Sequence, residues 1–115
     1  MKLKTIFLCI VLSTVLIACS HPLETEQLNY AGTWSSADSR VNLTITPEGR
    51  LEYSNNQPGK SSSLSAPIKK FNGDSFDAGF GPFSTEFKVS QPPTQDPQGN
   101  WFMVVDGFTL AKRES

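Results

Sequence analysis

Cysteine and histidine are nearly absent from this 115-residue chain. The two cysteines are Cys9 and Cys19, and the single histidine is His21. Nothing after residue 19 can form a disulfide or supply a thiol for catalysis or metal binding. No His/Cys set has the spacing of zinc ligands, so no metal and no cofactor is expected. A nucleophilic triad needs a base beside its nucleophile, and the only imidazole lies near the N-terminus. No Gly-x-Ser-x-Gly elbow exists. Gly79-Phe80-Gly81 is followed by Pro82 and a strand pattern instead of a helix N-terminus, which excludes a phosphate-cradling loop. Basic residues adjoin only at Lys69-Lys70 and Lys112-Arg113, and the formal net charge is −1. Nucleic acid is therefore not an expected partner. No apolar run reaches the ~20 residues that cross a bilayer as a helix.

One shorter apolar run is present. Lys2 and Lys4 precede a segment from Ile6 to Ile17 broken only by Ser13 and Thr14. A basic start, a short apolar core and a small residue before the cut match a secretory signal. The run closes on Leu16-Ile17-Ala18-Cys19, which resembles the lipobox of a bacterial lipoprotein. That resemblance implies removal of residues 1–18 as a helical signal peptide, with Leu16, Ile17 and Ala18 read by the peptidase. It also implies a covalent, multiply acylated lipid on Cys19. Only a thiol can become the thioether that carries a diacylglycerol. One acyl chain holds marginally and two or more hold stably. Ser20, in place of an Asp, points to the outer membrane, with the domain facing the periplasm. A plain signal peptide or an uncleaved anchor is the blander alternative.

The expected processed chain, residues 19–115, keeps 8 basic and all 11 acidic residues. It is one small domain. Residues 19–29 are polar and aperiodic, with Pro22, Glu24 and Glu26, and read as a lipidated flexible tether. Residues 30–115 read as the folded part.

Alternation of apolar and polar residues marks strands through that part. Val41, Leu43 and Ile45 alternate with Asn42, Thr44 and Thr46. Pro47-Glu48-Gly49-Arg50 turns the chain, and Leu51 and Tyr53 resume the pattern as the clearest hairpin. Ser61 to Ser63 extend a turn region. Leu64, Ala66 and Ile68 alternate with Pro67 among them, which argues for an edge strand. Asn72-Gly73-Asp74 signals a tight turn before Phe76, Ala78 and Phe80. Gly81-Pro82 turns into Phe83, Thr85, Phe87 and Val89. Pro92-Pro93 through Gly99-Asn100 reads as a long loop. Trp101 to Val105 reads as a strand covered on both faces. Asp106-Gly107 signals a type I′ turn into Phe108 and Leu110, with Lys112 to Ser115 a polar tail. The fold class is all-β: a small antiparallel meander barrel or sandwich of about seven or eight short strands.

Tyr30-Ala31-Gly32-Thr33-Trp34 resembles the first strand of lipocalin-like barrels. The stretch from Tyr30 to Leu110 is similar to a group of uncharacterised exported bacterial β domains. The shared residues are Tyr30-x-Gly32-x-Trp34, Leu43-x-Ile45, Gly49-x-Leu51-x-Tyr53, Ala66-Pro67-Ile68, Phe71, Gly73-Asp74, Phe87-x-Val89, Pro92-Pro93, Trp101-x-Met103, Val105-Asp106-Gly107 and Leu110. This resemblance implies one intact β domain and no particular chemistry.

The remaining candidates are weighed against plain structural roles. Ser61 to Ser63 beside Lys60 could form a Ser-Lys dyad, but serines in a turn are ordinarily solvated. Asn72, Asp74 and Asp77 offer oxygens to calcium, yet lack the EF-hand pattern and fit a hairpin turn. Glu48, Glu52, Glu86 and Asp106 sit at turns or outward positions, where a carboxylate pair across a cleft is not expected. The aromatic residues are abundant: Trp34, Tyr53, Phe71, Phe76, Phe80, Phe83, Phe87, Trp101, Phe102 and Phe108. Most should fill the core, with Phe80, Phe83 and Phe102 left to meet a partner or ligand. The expected function is a non-enzymatic, membrane-anchored binding or structural accessory module of the cell envelope, with an envelope protein as a candidate partner. The alternatives are a periplasmic hydrolase inhibitor using Gln91 to Asn100, and a lipocalin-like carrier of an apolar ligand.

Overall fold

A computed structural model of the chain describes residues 22–113. The expected signal peptide and Cys19 lie outside the described residues. A 3₁₀ turn over Thr25–Tyr30 leads into nine strands. These are β1 Gly32–Ser35, β2 Val41–Ile45, β3 Arg50–Gln57, β4 Lys60–Asn72 and β5 Ser75–Phe80. β6 Phe83–Phe87, β7 Val89–Gln95, β8 Trp101–Val105 and β9 Phe108–Arg113 complete them. They form one curled, half-barrel antiparallel sheet in the order β6-β5-β4-β3-β2-β1-β9-β8-β7. The all-β reading holds, with nine strands instead of seven or eight. Among the described residues, no helix is long and apolar enough to cross a membrane.

Alternation builds the concave face. Val41, Leu43 and Ile45 of β2 are buried, while Asn42 and Thr44 are only half-buried. Trp34, Leu43, Leu51, Phe76, Phe87, Met103 and Leu110 are all fully buried in one cluster. Trp34 donates its indole N–H to the Tyr30 carbonyl at 2.9 Å, so its one polar group is satisfied inside the core. Tyr30 meets Phe71 and Phe76 edge-on, Phe76 stacks on Phe87, and Phe87 meets Tyr53 edge-on. These offset and T-shaped contacts suit the ring quadrupoles and hold a core with no disulfide among the described residues.

The curl is carried by β4. Lys60 to Pro67 pair with β3, and Ile68 to Asn72 pair with β5. The register shifts between Ile68 and Lys70. Such a bulge bends a strand and increases its twist. β4 is therefore interior and not an edge. Pro67 is tolerated because it is the last residue of the β3 pairing, opposite Arg50. Ser61 to Ser63 belong to this strand, paired with Ser54 to Asn56, and are not loop.

Pro92 and Pro93 correct the sequence reading in the same way. They lie within β7, which is an edge strand, in an irregular stretch between Gln91 and Thr94. Proline lacks an N–H and is compatible with an edge at a bulge. Only residues 96–100 remain as a turn, closed by Asp96 accepting from the Gln98 and Asn100 amides. The two edge strands, β6 and β7, are joined through Lys88. Ser75 Oγ accepts the Val89 N–H at 2.9 Å across that corner.

Residues 22–29 differ from a free tether. The Leu23 amide donates to the Pro47 carbonyl at 2.9 Å, and its side chain packs against the core. The 3₁₀ turn follows, with Gln27 Oε1 accepting from the Glu24 N–H at 3.0 Å. On β8, Met103 and Val105 are buried, whereas Phe102 and Val104 are half-buried, so that strand is fully covered on one face only. The Asp106-Gly107 turn takes positive φ at both positions, 51° and 85°, as a type I′ turn requires.

Candidate functional site

The site is the tip of the β5–β6 hairpin. In this hairpin Phe76 pairs with Phe87, Ala78 with Thr85, and Phe80 with Phe83. Directly opposed residues share a face, and so do residues two apart on one strand. Phe76, Ala78, Phe80, Phe83, Thr85 and Phe87 therefore form one stripe on the core face. The stripe begins buried and ends in solvent. Phe76 and Phe87 are 0% and 1% exposed, and their rings stack at 5.3 Å. Phe80 and Phe83 are 55% and 77% exposed, because the hairpin runs on past the core. The sequence reading of Phe80 and Phe83 as exposed rings matches this placement.

Two features hold the tip in shape. A Cβ on Gly79 would lie 2.0 Å from the Phe83 carbonyl oxygen and 2.7 Å from Ser84 Cα. The two strands approach there closer than any other residue permits. Lys69, at the β4 bulge, donates from Nζ to the Gly81 carbonyl at 2.5 Å. The tip residues Phe80, Gly81, Pro82 and Phe83 carry no charge. Asp77 and Glu86 pair across the hairpin three residues further back.

Phe102 does not join this tip. It is half-buried on β8, opposite Thr94 and Ala111. Cys19, Leu16, Ile17 and Ala18 lie outside the described residues. Asn72 Nδ2 donates to Asp77 Oδ2 at 3.4 Å, while Asp74 lends its backbone carbonyl to the Tyr30 hydroxyl at 2.9 Å. Asp106 accepts the Lys88 amide at 2.9 Å. These acids act as turn and corner braces.

Lys112 was not legible as a site residue. It belongs to β9, beside Trp34, and not to a polar tail. Its Nζ stands 4.9 Å from the Trp34 ring centroid and 5.3 Å from that of Trp101. It also donates to the Asn29 carbonyl at 3.1 Å. Burial lowers the pKa of its ammonium, while the two ring faces and the carbonyl favour the charge. The available signal was parity: Lys112 shares the register of Phe108 and Leu110. It lines an open surface groove of ≈ 440 Å³ with Gly32, Thr33, Asn100 and Trp101. Tyr30 is the second such residue. Burial, helped by the nearby Asp74, pushes its hydroxyl up to about 12.

No protein-family model, curated protein or solved structure matches this chain.

Proposed function

We propose that this chain is an exported lipoprotein, anchored at Cys19 in the bacterial outer membrane. There it serves as a non-enzymatic binding or structural accessory module facing the periplasm. Its contact surface is the β5–β6 tip. The observation that carries the reading is the exposure of Phe80 and Phe83 on a hairpin whose other two rings are fully buried. Large apolar side chains held in solvent on a well-braced element favour a contact role. The basic start, the apolar run and the Leu16-Ile17-Ala18-Cys19 ending support the anchor. The carboxylates of Asp38, Asp96 and Asp106 accept backbone amides, which gives these three acids a structural role.

The alternatives have less support. Gln91 to Gln95 lie in β7, which leaves an inhibitor only the short turn at 96–100 as a protrusion. Trp34, Phe76, Phe87 and Met103 occupy the concave face that a lipocalin-like carrier would use for its ligand.

The test is labelling of the full chain with radioactive palmitate in a lipoprotein-processing bacterium. Label should enter the wild-type chain and vanish in Cys19→Ala, which should also leave the membrane fraction. Label that persists in Cys19→Ala would overturn the anchor.

A further inference from the structure

We infer that the β5–β6 tip is a bilayer-docking wedge. In this arrangement Phe80 and Phe83 enter the headgroup–acyl boundary of the membrane that holds Cys19, and Lys69 meets its phosphates. The inference rests on the reading of Cys19 as a lipid anchor.

Three observations place the membrane at this tip. The first is the route of the chain. Pro22 and Leu23 lie in a groove with Ile68, Lys69 and Lys70, and Leu23 is fixed by its bond to Pro47 and its packing on the core. Lys69, from the same groove, reaches the Gly81 carbonyl at the tip. Cys19 precedes Pro22 by three residues, and three extended residues span at most ~11 Å. A lipid on Cys19 would therefore be tied within that span of the groove that Lys69 links to the hairpin tip.

The second is the order of polarity. Phe80 and Phe83 stand outermost, Lys69 lies beside the turn, and Asp77 and Glu86 are set back along the hairpin. Lys70 sits opposite Asp77 in the register, whereas Lys69 reaches the turn through its bond to Gly81, which sets its ammonium beside the two rings. Aromatic rings at the interface with a basic residue behind them match the chemistry of interfacial insertion. The third is size. Two rings and one lysine fall far below the ~1,000 Å² that a specific protein interface needs. An anchor that already holds the bilayer within a short span makes docking effectively intramolecular, and a small wedge then suffices.

The test uses the full chain, expressed in a lipoprotein-processing bacterium, purified in detergent and reconstituted into phosphatidylethanolamine–phosphatidylglycerol vesicles. Phospholipids brominated on the upper acyl carbons serve as quencher. Phe83→Trp places an indole at the tip, Ser61→Trp places one on the β3–β4 hairpin, and the wild-type chain gives the Trp34 and Trp101 background. Quenching and a blue shift confined to Phe83→Trp are expected. Adding Phe80→Ser should lower the docked population about tenfold. An unquenched Phe83→Trp indole in an acylated, vesicle-bound chain overturns the wedge while leaving the anchor intact. A shift that follows protein concentration and not lipid assigns the tip to a second copy and also overturns it. If the chain carries no lipid, the anchor reading fails and the wedge, which rests on it, falls with it.

Discussion

Phe87→Ala and Phe83→Ala remove the same ring from the same strand, four residues apart, and should differ several-fold in cost. Phe87 is 1% exposed, stacked on Phe76 and edge-on to Tyr53 at 5.1 Å. Truncating such a ring costs about 3–5 kcal/mol from lost transfer energy and the cavity left behind. The loss of two ring–ring contacts puts it in the upper half of that range. Small domains are stable by only about 5–15 kcal/mol, so the variant should lose a large share of the domain's stability. Phe83 is 77% exposed. Roughly a quarter of the ~1.5–3 kcal/mol gained on full burial is at stake there, so the cost should stay under ~1 kcal/mol. Urea unfolding followed by far-ultraviolet circular dichroism and tryptophan fluorescence measures both, with a common slope. Equal costs, or a Phe83→Ala cost above ~2 kcal/mol, would show that the tip ring is part of the core and refute the reasoning.

Three further predictions bear on the scaffold. Gly79→Ala should destabilise the hairpin by more than ~1 kcal/mol, because the atoms its Cβ meets are backbone and a strand must shift; hydrogen exchange of the β5 and β6 amides should rise, and unchanged protection would contradict the close approach. Tyr30→Phe should lose about 1 kcal/mol at neutral pH with the bond to the Asp74 carbonyl. The folded-state pKa of Tyr30 is raised, so its contribution is fully present below pH 10.0 and is lost as pH rises from there through about 12. Alkaline titration of unfolding should show this loss in the wild type and not in Tyr30→Phe. Lys112→Met keeps the stem but removes the charge over Trp34 and Trp101, and should cost about 1 kcal/mol by urea unfolding; a stabilised variant would show that burial of the ammonium outweighs its ring contacts.

Strands with regular alternation were legible, and strands that depend on context were not. Val41, Leu43 and Ile45 sit over a single buried face, so their period alone identifies β2. The Asp106-Gly107 turn was legible because its backbone demands those residue types. β7 was hidden by Pro92 and Pro93, whose penalty vanishes at an edge and a bulge. The first half of β4 was hidden because its serines pair through backbone alone and face solvent. The 3₁₀ turn over Thr25–Tyr30 has a local Glu24–Gln27 bond, but its docking depends on long-range contacts, Tyr30 to Asp74 and the preceding Leu23 to Pro47, which local composition does not encode. At the site, Phe80 and Phe83 were legible because glycine and proline beside them weaken the strand. Phe102 was misjudged as free: Thr94 and Ala111 flank it on the neighbouring strands of the sheet.

The most direct test of the whole account is the intact mass of the full-length gene product extracted from bacterial membranes. The account predicts a chain that begins at Cys19, with the mass of a diacylglyceryl thioether and further acylation on that residue. A chain recovered with residues 1–18 still attached and an unmodified Cys19 would contradict it.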